Sequence, residues 1–573
     1  MQASFAAVLV DEWVRAGVAH AVVAPGSRSA PLALALAAEH RLQVHVRLDE
    51  RSAGFLALGI AKATEVPAVV LTTSGTAAVE LHPAVVEASY ARVPLIVCTA
   101  DRPPELHGVG APQSIDQAHL YGRAARWFFE PGPPEELAAS TWRSTASRAV
   151  AEALGPPPGP VHLNLAFREP LVAEPGPLPP GRDDGHPWHR RSLPRAPLDG
   201  ALDEVAEVVA ARRGVVVAGA GAGDPEAVHA LAAALRWPVL ADPPSGARLP
   251  RPATVAAFDA VLRHRPFAEH HRPEVVVRLG APPASRVLGE WLASTGAIEV
   301  LVDPHRSWLD PGRGAALTVV ADPGPWCEAL VATGAAPIEA SWSQGWAEAE
   351  TAAQLAIDAV LDRHPGLTEP GAARALSVVL DPGTTLVVSS SMPVRDLEWY
   401  GGVRSGLRVL ANRGANGIDG VVSTAAGVAA GAGGATALLV GDLAFLYDVN
   451  GLLGLAGAGL DLAIVVLDND GGGIFSLLPQ AGQVAPDRFE QLFGTPHGLD
   501  LVAVARAYGI AATRVDDAHG LRAAVAPGVG GPRMVVVTTG RSSNAALHRE
   551  IHAEVAAALP SSPRDVGSPG TPP

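Results

Sequence analysis

Lysine is almost absent from this chain. Its 43 basic residues comprise one lysine, Lys62, and 42 arginines. Pyridoxal Schiff-base enzymes and Walker-A nucleotide-binding loops both need a lysine at a defined place. Lys62 lies in the helical pattern AGFLALGIAKAT, without the GK[ST] context, and the pattern predicts a solvated helix residue. We therefore expect neither class of protein.

Other absences narrow the class further. Cys98 and Cys327 are too few for a disulfide framework or a metal cage, which favours a reduced, cytoplasmic setting. A membrane helix needs about 18 consecutive apolar residues. The sequence contains no such run, so we expect no membrane span. The 19 histidines include no HExxH motif and are interpreted as surface groups. The net charge of -15 argues against a nucleic-acid partner.

Short apolar runs separated by helical stretches predict an α/β fold with three doubly wound parallel sheets. The predicted domains are residues 1–175, 195–340 and 350–555, and a linker rich in proline and glycine follows the first. Residues 560–573 form a Ser/Pro/Gly-rich tail that we predict to be disordered. The predicted strands lie in these segments: HAVVAP, LQVHVRL, AVVLTTS, PLIVCTA, PVHLNL, GVVVAGA, PVLAD, EVVVRLG, IEVLVDP, TLVVSSS, RVLAN, TALLVGD, LAIVVLD and RMVVVTT.

Two predicted strands of the third domain end in oxygen-bearing side chains. TALLVGD stops at Asp442, and LAIVVLDND stops near Asn469, with Asp470 as a competing ligand. The carboxyl ends of neighbouring parallel strands meet at one edge, where ligands bind. Carboxylate and amide oxygens suit Mg²⁺, which leaves other positions for phosphate. The glycines that follow, from Gly471 to Gly473, let the backbone approach an anion.

A second candidate lies in the first domain, where VHVRLDERSAGFLALGIAKA ends a strand near Asp49 and Glu50 and then opens a helix. A carboxylate at a strand end beside a crevice is a candidate general acid or base. Two structural explanations stay open for Glu50: an ion pair with Arg51, or a favourable charge at the helix N-terminus.

The Asp442–Asn469 spacing resembles the cofactor motif of thiamine diphosphate enzymes. Eight ordered stretches together resemble one family of them, the 2-succinyl-5-enolpyruvyl-6-hydroxy-3-cyclohexene-1-carboxylate synthases of menaquinone synthesis. The match spans both outer domains and is weak in the central one. The stretches are APGSRSAPLALAL, RLDERSAGFLALGIAK, TTSGTAAVELHPAVVEA, TADRPPEL, SSSMPVRDLEW, NRGANGIDGVVSTAAGVA, GDLAFLYDVNGLL and NDGGGIFSLLP.

This resemblance implies three sheet domains of the thiamine diphosphate-enzyme type and a role for each motif residue. Glu50 would activate the cofactor. Asp442, Asn469 and the Gly471 carbonyl would hold Mg²⁺, for which Mn²⁺ can substitute, on the diphosphate. Ile418 would wedge under the cofactor. The resemblance also implies cofactor contacts for Ser391, Leu443, Ala444, Ile474 and Phe475.

The family's substrates are isochorismate and 2-oxoglutarate, each with two carboxylates that need charge-assisted donors. 2-Oxoglutarate would be decarboxylated, and its succinyl carbanion equivalent would add to isochorismate. The implied substrate-binding residues are Ser27, Arg28, Arg102, Gln113, Arg286, Ser391, Arg395 and Arg413, of which Arg395 and Arg413 would also serve catalysis. The resemblance further implies a homodimer, or a dimer of dimers, with shared active sites.

Some positions depart from the family pattern. Pro112 and Glu80 stand where the family usually has asparagine, and Ser285 stands where a second basic residue is expected before Arg286. The cradle for the second substrate therefore differs locally.

Three other interpretations remain open. An acetohydroxyacid synthase-like carboligase would bind a flavin in its central domain. A dinucleotide-dependent dehydrogenase would use the turn GVVVAGAGAGD, with glycines at 219, 221 and 223, and Asp242 after the next strand, although these glycines do not form GxGxxG. A non-catalytic relative would bind the cofactor only for assembly, which the presence of Glu50 argues against.

Overall fold

Three six-stranded parallel sheets follow one another along the chain in a computed structural model that describes residues 1–190, 199–528 and 530–560. The predicted α/β fold with three doubly wound sheets is confirmed. Nearly all of the predicted tail, and the start of the second predicted domain, lie outside the described residues. Within the described part of the chain, no helix combines the length and the apolar character that crossing a membrane would demand.

The first sheet has the strand order β2-β1-β3-β4-β6-β5. Its central strands are apolar and buried along their whole length, as parallel strands covered on both faces must be. The strands are β1 His20–Val23, β2 Gln43–Val46, β3 Ala68–Thr72, β4 Leu95–Asp101, β5 Trp127–Phe129 and β6 Pro160–Ala166. The helices are α1 Gln2–Arg15, α2 Ala30–Ala38, α3 Glu50–Thr64, α4 Thr76–Glu80, α5 His82–Ala91 and α6 Trp142–Ala153.

The second sheet has the order β12-β11-β10-β7-β8-β9. Its strands are β7 Gly214–Ala218, β8 Val239–Ala241, β9 Thr254–Val255, β10 Val275–Leu279, β11 Ile298–Val302 and β12 Ala315–Val319. The helices are α7 Asp199–Val209, α8 Pro225–Leu235, α9 Phe258–Arg263, α10 Arg265–His270, α11 Arg286–Thr295, α12 Pro323–Ala332 and α13 Ala340–Leu361.

This central order is that of dinucleotide-binding sheets, yet its glycine turn is filled by the protein itself. A Cβ at Gly219 would collide with the carbonyl oxygen of Ala281. The Asp224 side chain accepts the Glu226 N–H at 3.1 Å and so caps α8, where a phosphate would otherwise bind. Packing and capping therefore account for this turn without a dinucleotide.

The third sheet has the order β14-β13-β15-β16-β18-β17, which repeats the first sheet position by position. Its strands are β13 Thr385–Val388, β14 Arg408–Ala411, β15 Thr436–Gly441, β16 Leu462–Asp468, β17 Ala511–Arg514 and β18 Arg533–Thr538. The helices are α14 Glu369–Val379, α15 Met392–Tyr400, α16 Val421–Ala432, α17 Asp442–Tyr447, α18 Gln480–Gln483, α19 Pro486–Phe489, α20 Leu501–Ala507, α21 Ala518–Val525 and α22 Arg541–Ala558.

Helices α3 and α16 join the first and third domains. Neither Gly59 on α3 nor Gly427 on α16 has room for a Cβ, because each faces a backbone carbonyl of the other helix. Small residues therefore let the two helix backbones approach closely, and apolar residues of both domains form one continuous core.

The prediction that Lys62 is a solvated helix residue is wrong. Its side chain on α3 is only 9% exposed, because the third domain covers this face of the helix. Periodicity within α3 could not reveal a burial that a distant segment of the chain imposes.

Candidate functional site

Asp442 and Asn469 lie at one edge of the third sheet, as predicted. β15 and β16 are parallel neighbours with Gly441 opposite Leu467, so their ends coincide. Asp442 is buried, and its Oδ2 accepts the N–H groups of Asn469 at 3.1 Å and Gly471 at 2.8 Å. Burial raises the pKa of Asp442, although the backbone N–H groups of Gly471 and Leu443 oppose the shift. A nearby cation would favour the ionised carboxylate.

The side chain of Asn469 is held in one orientation. Its Nδ2 donates to Oε1 of Glu369 at 2.9 Å, and Thr539 donates to the same oxygen at 3.0 Å. The Oδ1 of Asn469 is buried without a hydrogen-bond partner among the described residues. A buried acceptor left unpaired is costly, so this oxygen is suited to a ligand such as a metal ion.

His497 completes a second group of donors that shares Asp442. Its Nε2 lies 3.5 Å from Oδ2 of Asp442 and 3.6 Å from Oδ1 of Asp468, and ligand atoms of these three residues lie within 4.8 Å of one another. Asp470, the competing ligand considered above, instead accepts the N–H groups of His497 at 2.9 Å and Gly498 at 2.8 Å. It thus fixes the histidine loop.

Glu50 is the first residue of α3 and is half-buried. Its neighbour Asp49 serves structure, because Oδ1 caps the helix at the Ser52 N–H and Oδ2 accepts Asn450 Nδ2 at 2.9 Å. Arg51 donates to the Tyr447 carbonyl at 2.8 Å and lies over the Tyr447 ring. The guanidinium is thus directed towards the third domain, which weakens the ion-pair explanation for Glu50.

The first-domain substrate candidates lie together beyond the ends of β1 and β4. Arg102 donates to Oγ of Ser74 and lies 3.4 Å from Oε1 of Gln113. Burial first, and then the charge of Arg28, lower the pKa of Arg102. Arg28 donates to the Phe167 carbonyl at 2.9 Å, and Ser27 lies exposed beside it. We call Ser27, Arg28, Arg102 and Gln113 the first-domain arginine group.

Arg395 and Arg413 form a second arginine group near Ser391. Arg395, on α15, donates to the Ser391 carbonyl. Burial first, and then the charge of Arg413, lower the pKa of Arg395. Arg413 also acts on the central-domain residue Asp242, whose pKa burial raises to about 7 while Arg413 opposes the shift. The second group therefore faces an acid from the central domain.

The remaining candidates are placed as follows. Arg286 begins α11 with an 85% exposed side chain that pairs with Glu290 at 2.6 Å, so it does not join the other arginines within one chain. Pro112 and Glu80 are exposed. Ala444 is buried, whereas the other predicted cofactor contacts are half-buried: Ser391, Ile418, Leu443, Ile474 and Phe475.

Sequence reasoning did not identify Glu369, Asp242 or His497. Glu369 resembles an ordinary acidic residue in a first helical turn, and His497 lies in a loop with no metal-ligand spacing. The sequence pattern relates Asp242 only to a dinucleotide site and does not predict its interaction with the second arginine group. Each of the three residues makes its interactions with residues that are distant in the sequence.

Three segments of the chain match domain families of thiamine pyrophosphate enzymes. Residues 3–120 match the N-terminal TPP binding domain, residues 182–388 the middle domain, and residues 400–539 the C-terminal TPP binding domain. Glu50 falls in the first match and the metal-type donors fall in the last. In class, this is a three-domain thiamine pyrophosphate enzyme.

Curated relatives define the family more narrowly. Proteins named 2-succinyl-5-enolpyruvyl-6-hydroxy-3-cyclohexene-1-carboxylate synthase are 45% identical in Myxococcus xanthus, over 98% of both chains, and 46% identical in Thermobifida fusca, over 97% of this chain and 99% of the relative. The relative from Geobacillus kaustophilus is 42% identical over 96% and 97%. The chain belongs to this synthase family, as its motifs predicted.

Proposed function

We propose that this enzyme decarboxylates 2-oxoglutarate and adds the resulting succinyl carbanion equivalent to isochorismate, a step of menaquinone biosynthesis. One observation carries the proposal. The strand ends of the two outer sheets hold both a set of oxygen ligands suited to a cation and two arginine groups suited to carboxylates. The family's name describes a product that such a site would make.

Thiamine diphosphate would be held through a divalent cation at the carboxyl end of the third sheet. Asp442, Asn469 Oδ1 and the Gly471 carbonyl supply oxygen ligands, which suit Mg²⁺ and accommodate Mn²⁺. The unpaired Oδ1 of Asn469 supports this fit. His497 would add an imidazole nitrogen donor from the second group of donors. When bound, the cofactor supplies an electron sink for decarboxylation.

Glu50 would hold and move the proton that cofactor activation requires. Its half-buried position, and the engagement of Asp49 and Arg51 with other groups, support this role. The predicted cofactor contacts at Ser391, Ile418, Leu443, Ala444, Ile474 and Phe475 would fix its orientation. Proton transfer by a positioned carboxylate contributes about 10²–10⁴-fold to rate.

The arginine groups would bind the substrate carboxylates and bring the two reactants together. Arg28, Arg102, Arg395 and Arg413 offer charge-assisted donors, with Ser27, Gln113 and Ser391 as polar neighbours. Arg286 would join them only if the chain rearranges or associates, since it is exposed. Holding both reactants in place lowers the entropic cost of their reaction.

We further propose that active sites are shared between subunits of a homodimer or of a dimer of dimers. Mixing inactive Glu50→Gln with inactive Asp442→Ala chains would then restore activity, because a mixed dimer retains one intact site. Light scattering on the wild type provides the mass. A monomeric, fully active wild type would contradict shared sites.

The decisive assay measures carbon dioxide release from 2-oxoglutarate with and without isochorismate, in the presence of thiamine diphosphate and Mg²⁺. We expect release that depends on the cofactor and product formation that depends on isochorismate. Pyruvate should be used poorly, since it lacks the second carboxylate. Equal use of pyruvate, together with flavin absorbance of the purified protein, would favour the acetohydroxyacid synthase-like alternative.

A further inference from the structure

The side chain of Lys62, the one lysine of the chain, extends from α3 in the first domain and contacts the third domain. Lys62 Nζ donates to the Ala411 carbonyl at 2.6 Å and to Asn412 Oδ1 at 3.1 Å. Asn412 in turn donates to Thr424 Oγ1 on α16 at 2.9 Å. The end of β14 is thereby fixed to two helices.

Glu87 on α5 fixes the other side of the same loop. It is 3% exposed, and its two oxygens accept the N–H groups of Gly414 at 2.8 Å and Ala415 at 2.6 Å. Lys62 Nζ lies 3.9 Å from Glu87 Oε1, so the two buried charges offset each other. We name these two residues the Lys62–Glu87 pair.

Arg413 lies between the two anchored positions. Residue 412 is held by Lys62 and residue 414 by Glu87, so both neighbours of Arg413 are fixed from the first domain. The charge of Arg413 affects the pKa values of Asp242 and Arg395, and Arg395 is itself a proposed substrate-binding residue. The first domain therefore holds the backbone on both sides of Arg413, while the Arg413 side chain lies near Asp242 and Arg395.

We propose that Lys62 and Glu87 are positioning residues that hold the Arg413 loop so that its guanidinium meets a substrate carboxylate. This inference deepens the proposed function and rests on it. A compact ammonium fits among the Ala411 carbonyl, Asn412 and Glu87, whereas a planar guanidinium is larger and needs a different donor geometry. This explains a lysine at this site in a chain that otherwise uses arginine.

The kinetic test compares Lys62→Met with Arg408→Met in the thiamine diphosphate- and Mg²⁺-loaded enzyme. Arg408 also connects the two domains, since it donates to the Ala63 carbonyl at 2.8 Å, but it lies at the far end of β14 from the loop. We expect Lys62→Met to raise a substrate KM about tenfold or more, with cofactor affinity kept and Arg408→Met near wild type. Lys62→Arg should not rescue. Equal KM values in Lys62→Met and Arg408→Met would overturn the proposal.

A double-mutant cycle separates positioning from general destabilisation. If Lys62 acts through Arg413, Lys62→Met should add little to the KM defect of Arg413→Ala but should add fully to that of Arg102→Ala, because Arg102 belongs to the separate first-domain arginine group. Additivity with both arginine variants would contradict the proposal. A wild type that releases no carbon dioxide from 2-oxoglutarate would instead reject the proposed function.

If the Lys62→Met variant does not fold, two further tests of the proposal remain. Removing one partner leaves a buried charge unpaired, so the double variant Lys62→Met with Glu87→Gln should fold better and show the same KM defect. In the native wild type, reductive methylation with formaldehyde and a borane reductant, read by mass spectrometry, should modify the N-terminal amine and spare Lys62. Modification of both amines at equal rates, or a normal KM in the double variant, would overturn the proposal.

Discussion

The first and third sheets have the same strand order, yet the ends of their corresponding strands carry opposite chemistry. In the third sheet, β15 and β16 lead into Asp442 and Asn469, which offer oxygen atoms. In the first sheet, β3 and β4 lead into Ser74 and Arg102, and the Arg102 guanidinium offers N–H donors, one of which the Ser74 hydroxyl accepts. At these two central strands, the same topology thus presents oxygen ligands for a cation in the third sheet and donors for an anion in the first, whereas the second arginine group follows the neighbouring strands β13 and β14.

The comparison also shows that residue type at a strand end does not by itself define a ligand site. β4 ends in the buried Asp101, but both its oxygens are occupied, one by the Arg102 N–H at 2.7 Å and the other by Asn164 Nδ2 at 2.8 Å. The oxygens of Asp442 likewise accept backbone N–H groups, so the difference lies in its neighbour Asn469, whose Oδ1 has no partner among the described residues. An available buried acceptor distinguishes the metal-type edge.

Asp442→Ala should have the largest effect of the variants considered, and it tests the metal-type edge of the third sheet. We expect Mg²⁺-dependent thiamine diphosphate binding to weaken by more than about 100-fold, because losing a direct ligand should exceed the 10–100-fold cost of losing an outer-shell partner. Calorimetry with and without Mg²⁺ measures this. Asp101→Asn is the matched control at the other sheet and should keep its metal dependence. Wild-type cofactor affinity in Asp442→Ala would remove the proposed metal site.

Glu50→Gln tests the catalytic contribution of the first domain. The variant should bind cofactor nearly normally, yet turnover should fall by about 10²–10⁴-fold because the amide cannot exchange the proton. The exchange rate of the cofactor C2 proton, followed by NMR, reports this directly. Asp49→Asn should leave the exchange rate unchanged, because asparagine still caps the helix, although it loses the oxygen that accepts Asn450 Nδ2 and should cost some stability. An unchanged exchange rate in Glu50→Gln would make Glu50 a structural residue.

Arg102→Ala tests the anion-type edge. Loss of a charge-assisted hydrogen bond costs about 1.5–3 kcal/mol, so a substrate KM should rise by about 10- to 100-fold while cofactor affinity stays the same. Arg168→Ala is the control, because Arg168 is an exposed arginine that pairs with Glu105 at 2.6 Å. If both variants behave alike, the first-domain arginine group does not bind substrate.

Sequence reasoning predicted all interior strands of the three sheets, but among the edge strands it predicted only β2 and β14. The central strands are continuous apolar runs, which the pattern of residues identifies directly. The missed strands, β5, β9, β12 and β17, are all edge strands, and they are short or partly exposed, so they lack that pattern. The repeated strand order of the outer domains likewise becomes visible only in the structure.

The same distinction applies to the candidate site. Asp442, Asn469 and the arginines of the motifs follow strand ends, so their local sequence predicted their positions. Lys62, Asp242 and Glu369 acquire their environments from other domains or distant segments, and no local pattern encodes such contacts. Lys62 shows this most clearly, since a helical pattern predicted exposure and the third domain buries it.

Glu369 tests, with the smallest expected effect, whether the orientation of Asn469 makes the edge of the third sheet suited to a cation. Glu369 is 1% exposed and uses one oxygen to accept both Asn469 Nδ2 and Thr539 Oγ1. Glu369→Ala should weaken Mg²⁺-dependent cofactor binding by about 10- to 100-fold, the usual cost of losing a residue that orients a ligand. Glu369→Gln keeps an acceptor oxygen and should therefore cost less than the alanine variant. Calorimetric titration of both variants measures the difference. Because the orientation of Asn469 needs an acceptor and not a negative charge, equal losses in the two variants would show that the charge of Glu369 is what the site requires.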